Sequence, residues 1–106
     1  MSVILKLDKK TAVILVSGPI GVDAIEELAA QADKAVAAGS SLVSIDVSRA
    51  TDIDAAGVTG LLNLRVGLLD RGMDLDIIEA PREIAATLRL LKLGDLLNLQ
   101  KGSISQ

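Results

Sequence analysis

Hydrophobic and polar positions change period several times along the chain, and each change marks an element. From Val3 to Leu7 the pattern alternates. Val3, Leu5 and Leu7 lie on one side and Ile4 and Lys6 on the other, which predicts a short edge strand. Ala12 to Val16 is a continuous apolar run rich in β-branched residues, as in a strand covered on both faces. Gly18-Pro19 is expected to end it. The period then lengthens: Ile25, Leu28, Ala29, Ala32 and Val36 recur at helical spacing. Asp23 is the expected N-cap, Glu26 completes a capping-box-like pair, and Gly39 is the expected stop.

Ser41 to Val47 returns to alternation. Val43, Ile45 and Val47 face one way and Leu42, Ser44 and Asp46 the other, so the second face is expected to be only partly covered. Asp54 caps a second helix that runs to about Arg71, with Gly72 as its stop. Met73 to Ile78 reads as a strand with Asp74 and Asp76 on one face. Pro81 suits the first turn of a third helix, with Ile84, Leu88 and Leu91 inward and Gly94 at its end. Leu96 to Leu99 reads as a last edge strand, and Gly102 to Gln106 as a frayed tail. Leu90 and Leu97 find no place in this core pattern. Two strands followed by alternating helix and strand predict an α/β domain over residues 1–106, a mixed sheet with helices packed mainly on one face.

Composition narrows the chemistry. Half of the 106 residues are hydrophobic, yet there is no Phe, Tyr or Trp, so the core is built from Leu, Ile, Val, Ala and Met. Without aromatic rings there is nothing for unpaired bases to stack on, and a net charge of −3 gives phosphates no attraction. Nucleic acid is therefore not an expected partner. The absence of His and Cys removes disulfides, thiolate nucleophiles, imidazole bases and almost every zinc site. No catalytic residue, metal or cofactor is expected. Met1 to Asp8 has no basic segment followed by an apolar run. The longest uncharged stretch, Thr11 to Val22, is short and broken by Gly18, Pro19 and Gly21. No membrane insertion and a cytoplasmic location are the expectations.

The segment Ser44 to Leu62 carries the most information. A strand ends in Asp46-Val47-Ser48, a short loop follows, and Asp54-Ala55-Ala56-Gly57 opens a helix that continues through Val58 to Leu62. Free N–H groups at such a start favour an anion or a partner's acceptor groups. These residues resemble the STAS family of sulfate-transporter and anti-sigma-factor-antagonist domains, whose pattern is Asp-x-Ser, a few residues, then Asp-Ser-Ser-Gly at a helix start. Val16 to Ile20, Gly72 to Leu75 and Leu91 to Gly94 also fit, so the resemblance spans roughly the whole chain. It implies a single STAS-like domain. In switchable antagonists of the family the Ser before the Gly is phosphorylated by a partner kinase. The matching position here is Ala56, and the preceding Ser is replaced by Ala55, so neither accepts a phosphoryl group. A phosphate beside Asp52 and Asp54 would add nearly two negative charges, whereas Ala56 keeps the surface permanently neutral there.

The second helix offers a further clue. Val58, Leu61, Leu62, Val66 and Leu69 share one broad face, and Ala56, Gly60, Asn63 and Gly67 the opposite one. Glycine costs about 1 kcal/mol relative to Ala in a helix interior, so two of them on an outer face suggest a smooth stripe that another backbone approaches. The plainer reading is tolerated drift. Asp54, Ala55, Ala56, Gly57, Gly60, Asn63, Gly67 and Ser48 are the candidate partner-binding residues. Asp46 and Asp54 are read as strand end and helix cap before a carboxylate pair. Gly18 to Gly21 is read as a turn before a phosphate loop, since it lacks the Gly-Lys-Ser/Thr ending. Arg65 lies within the apolar arc, either reaching the sheet rim or meeting a partner. Apolar residues on the open sheet face leave room for a homodimer.

The resemblance implies a non-enzymatic regulatory module that binds an anti-sigma factor or related kinase-fold regulator. The second reading is a structural subunit on the ATPase of an ABC lipid transporter, and a third, weaker one is a component of a signalling array. Neighbouring genes discriminate these: a sigma factor and kinase favour the first, a permease and ATPase the second.

Overall fold

The computed structural model describes residues 1–100, so the expected tail from Gly102 lies outside the described residues. In chain order the elements are β1 (Ser2–Asp8), β2 (Thr11–Ile20), α1 (Val22–Ala37), β3 (Leu42–Ile53), α2 (Ala55–Asp70), β4 (Asp74–Ile78) and α3 (Arg82–Leu90). The strands form one sheet in the order β1-β2-β3-β4. β1 pairs antiparallel with β2 through a tight turn, and β2/β3 and β3/β4 are parallel, as helical crossovers require.

Alternation decides which face is covered. Ala12, Val43 and Leu75 form one row across the sheet and Ile14, Ile45 and Ile77 the next, all at most 1% exposed. Ala24, Leu28, Ala32 and Ala35 of α1, Leu61 and Leu68 of α2, and Ile84, Ala85 and Leu88 of α3 close over them in one core. With no aromatic ring available, alanines on α1 let that helix approach the sheet closely, and the larger aliphatic side chains fill the remainder.

Several local expectations are corrected. Gly18-Pro19 does not end β2, which continues to Ile20 alongside a β3 that runs to Ile53. Gly18 keeps a register partner in Ala50, while Pro19 falls in the irregularity between Gly18 and Ile20, where no ladder partner is required of it. Gly18 adopts φ +93°, open to glycine, beside the Met1 backbone. Helix α1 starts two residues earlier than expected, with Gly21 as N-cap and no side-chain cap, so Asp23 sits inside the first turn. There its charge complements the helix dipole instead of capping it.

Ala29 is exposed, and Ala24 and Ala35 take the buried line of α1. Leu91 follows the end of α3 and is 53% exposed. Leu96 to Leu99 makes a single bridge, Leu99 to Ile77, not a strand. The two leucines without a place separate cleanly: Leu97 is fully buried in the core and Leu90 is 83% exposed.

Candidate functional site

The parallel strands β2 and β3 end side by side, and the loops leaving them bring two helix starts together. This is where open α/β sheets place their binding surfaces. At the β3 exit, Asp54 is the N-cap of α2, and its Oδ1 accepts the Gly57 N–H at 2.8 Å. The Asp54 N–H in turn donates to the Ile20 carbonyl at 3.4 Å, tying the two loops. On its other side the carboxylate lies so near Gly21 that a Cβ there would stand 3.1 Å from Oδ2. One carboxylate therefore sits between the N-terminal ends of α1 and α2, complementing both dipoles.

Gly57 is buried because its Cα lies against the Ile20 backbone; a Cβ would overlap the Ile20 carbonyl oxygen and meet Ile53 Cγ1 at 3.0 Å. Gly60 faces α1, where a Cβ would fall 2.5 Å from Ile25 Cγ1. These two glycines set the roll of α2 on the molecule. Its buried line is Gly57, Leu61 and Leu68, while Val66 and Leu69 are 59% and 48% exposed. The expected inner face is thus rotated by about a quarter turn, at 3.6 residues per turn. Apolar residues surround α2, so periodicity could not fix its roll; the close glycine contacts do.

The structure consequently divides the candidate residues. Asp54, Ala55 and Ala56 are exposed together at the capped start of α2. Ser48 is exposed midway along β3, which does not end there as expected, and its N–H donates to Asp46 Oδ1 at 2.9 Å. Asn63 and Gly67 are exposed, and nothing lies within 4 Å of a Cβ placed on Gly67. Gly57 and Gly60 are packing glycines, not outer-face ones. With Asn63, Gly67 and the α1 residues Ile25, Ala29 and Ala32, Gly60 lines a shallow groove of about 340 Å³ between the helices. The exposed Asp33–Arg71 ion pair, at 2.8 Å, closes one end of it.

Val22, the first residue of α1, was not singled out by sequence reasoning and is 60% exposed next to the Gly21–Asp54 contact. The signal for it was positional: an apolar residue directly after a strand-end glycine, where the chain turns outward.

Asp46 and Asp54 are each bonded to nearby backbone, and among the described residues no group of three or more acidic side chains is placed to hold a metal ion. No helix of the described residues is long and apolar enough to cross a membrane. Arg65 reaches the sheet rim at Asp74, the first residue of edge strand β4, and does not face outward to a partner. Its Nε donates to Asp74 Oδ1 at 2.9 Å, Nη2 to Oδ2 at 3.3 Å, and Nη1 to the Leu96 carbonyl at 3.0 Å. Asn98 adds Nδ2 bonds to Asp74 Oδ2 and the Leu75 carbonyl. The Arg65 hydrogen bond holds the Asp74 carboxyl below its usual range, and the same bond raises the Arg65 guanidinium. This network ties α2, β4 and the turn after α3 together.

A mixed sheet with helices on one face and an Asp-capped helix seated against its strand ends defines a STAS-type α/β domain. The chain belongs to the STAS family: the family model described as Mlab, STAS domain matches residues 4–99. No curated protein matches it. Its fold is similar to that of the anti-sigma factor antagonist SpoIIAA in its unphosphorylated form, with a TM-score of 0.70 and 17% identity over 99% of this chain and 89% of that one. The phosphorylated form of the Bacillus SpoIIAA gives 0.69 and 16% over 99% and 92%. A sulfate transporter family protein from Wolinella succinogenes gives 0.75 and 13% over 93% and 79%. At these identities the likeness speaks for the fold alone.

Proposed function

We propose that this protein is a non-catalytic docking module that seats the start of α2 on a protein partner and is not switched by phosphorylation there. The observation that carries the reading is the exposure of Ala55 and Ala56 on a capped, rigid helix start, beside the exposed Val22. A small apolar surface with the N–H groups of a helix end behind it suits acceptor groups on a partner. SpoIIAA exists in unphosphorylated and phosphorylated forms; here the matching position has no hydroxyl, so the surface keeps one charge state. The partner in this reading is an anti-sigma factor or related kinase-fold regulator, held constitutively in the cytoplasm.

A second reading is favoured by the matching family model, described as Mlab, STAS domain. In it the same surface sits on the ATPase of an ABC lipid transporter as a structural subunit. Phosphorylation is not needed for that role, which accommodates Ala55-Ala56.

The test is affinity purification of the tagged protein from its own host, from soluble and detergent-extracted fractions, beside an Ala56→Glu control. A kinase-fold regulator lost from the variant supports the first reading. A transporter ATPase lost from it supports the second. A partner retained by Ala56→Glu moves the interface away from α2 and refutes both as stated. Phosphate found on Ser48, Thr51 or Thr59 that alters binding would overturn the phosphorylation-blind claim; all three are exposed.

A further inference from the structure

The sheet face without helices carries opposite charges at its two edges. Register aligns its side chains into rows across the strands. One row is Lys6, Val13, Ser44 and Asp76; the next is Ile4, Leu15, Asp46 and Ile78. Ile4 is 57% exposed, Lys6 is exposed, and Val13, Leu15 and Ile78 are only half-buried. Lys6 and Asp76 stand at opposite ends of their row with two strands between them. At about 4.8 Å per strand they are roughly 14 Å apart and do not pair within the chain. Meanwhile Asp76 Oδ1 is covered by its own chain and has no hydrogen-bond partner among the described residues. An acceptor left in that condition costs free energy until its side chain turns out toward a donor.

We propose that this face is the interface of a homodimer in solution. Two copies stack sheet on sheet about a twofold axis that runs parallel to the strands, between β2 and β3. The operation carries β1 of each copy over β4 of the other and keeps every row at its own level. Lys6 of each copy then faces Asp76 of the other, and Ile4 faces Ile78. Leu15 faces Asp46, whose Oδ1 already accepts the Ser48 N–H. An axis across the strands would instead place Lys6 over Lys6, so charge selects the first arrangement. Stacked sheets lie about 10 Å apart, a gap that a lysine side chain spans.

The row Asp8, Thr11, Leu42 and Asp74 bounds the patch. Its terminal carboxylates would oppose one another, and Asp74 is already turned to Arg65 and Asn98. Four strands of about five residues give a projected face of roughly 300 Å² per copy, below the size of a standard specific interface. The dimer is therefore reversible and concentration-dependent, with the ion pairs setting its register more than its strength.

Analytical ultracentrifugation of the full chain across a concentration series tests this. The expected result is a monomer–dimer equilibrium. Lys6→Glu and Asp76→Lys are each expected to weaken it by at least about tenfold, and the Lys6→Glu/Asp76→Lys double variant to recover it. Ile4→Arg, at another exposed site on the face, is expected to abolish it, and circular dichroism confirms that each variant is folded. A wild-type chain still monomeric at about 1 mM, roughly the weakest association such a surface would show, overturns the proposal. So does a dimer indifferent to these substitutions, or one that the charge exchange fails to restore.

Discussion

The carbonyl oxygen of Ile20 occupies the position that a Cβ on Gly57 would take. Helix α2 can begin where it does only because residue 57 has no side chain. Gly57→Ala raises helix propensity by about 1 kcal/mol, yet here it forces a methyl group into backbone. The net expectation is destabilisation by about 1–3 kcal/mol or more. At Gly67, with nothing within 4 Å of the added carbon, the same exchange is expected to stabilise by about 0.5–1 kcal/mol. Urea denaturation of the two variants checks the opposite signs. A stabilising Gly57→Ala would show that α2 does not rest on Ile20.

Asp54 satisfies an N–H at the start of α2 that would otherwise lack a partner. Asp54→Ala is expected to cost about 1 kcal/mol, and Asp54→Ser, which keeps a capping oxygen, much less. Equal losses in thermal melts of the two would mean that the charge between the two helix starts matters more than the cap.

Ala56 is exposed, and Glu is tolerated in a first helical turn, where its charge suits the dipole. Ala56→Glu is expected to fold with stability within about 0.5 kcal/mol of wild type while losing partner binding. Chemical denaturation run beside the affinity purification separates these effects. A large loss of stability would show that the surface is packed, not free.

The Arg65–Asp74 pair makes a pH prediction whose sign follows from the shift. Arg65 depresses the folded-state pKa of Asp74 below its ordinary value of 3.8. The stabilisation is therefore present above that value and is lost as pH falls through the lower folded value. The melting temperature of Asp74→Asn is expected to lie below wild type at neutral pH, with the gap closing under about pH 4. The carboxylate is 39% exposed, so the effect is modest. A gap that stays constant from pH 7 to 2 would remove the ionic contribution.

The order of elements, the mixed sheet and the capped helix at Asp54 were legible in the sequence, because each rests on local chemistry. Alternation exposes strand faces, and Asp at the head of an apolar run supplies a cap. The STAS signature at Asp54 to Gly57 was legible for the same reason. Where α2 turns its faces was not. A helix apolar nearly all round has no preferred inner line until Gly57 meets Ile20 and Gly60 meets Ile25, contacts across 35 residues or more of chain. The rim position of Arg65 was among the readings of the sequence, but its partners Asp74 and Leu96, with Asn98 beside Asp74, came together only on folding. The fate of Leu90 and Leu97 depended on the same long-range closure. The sequence by itself determined the class of fold and the chemistry at the head of α2, since those depend on neighbours along the chain. Tertiary structure alone decided which glycines pack and which face outward, since those depend on close approach between distant segments.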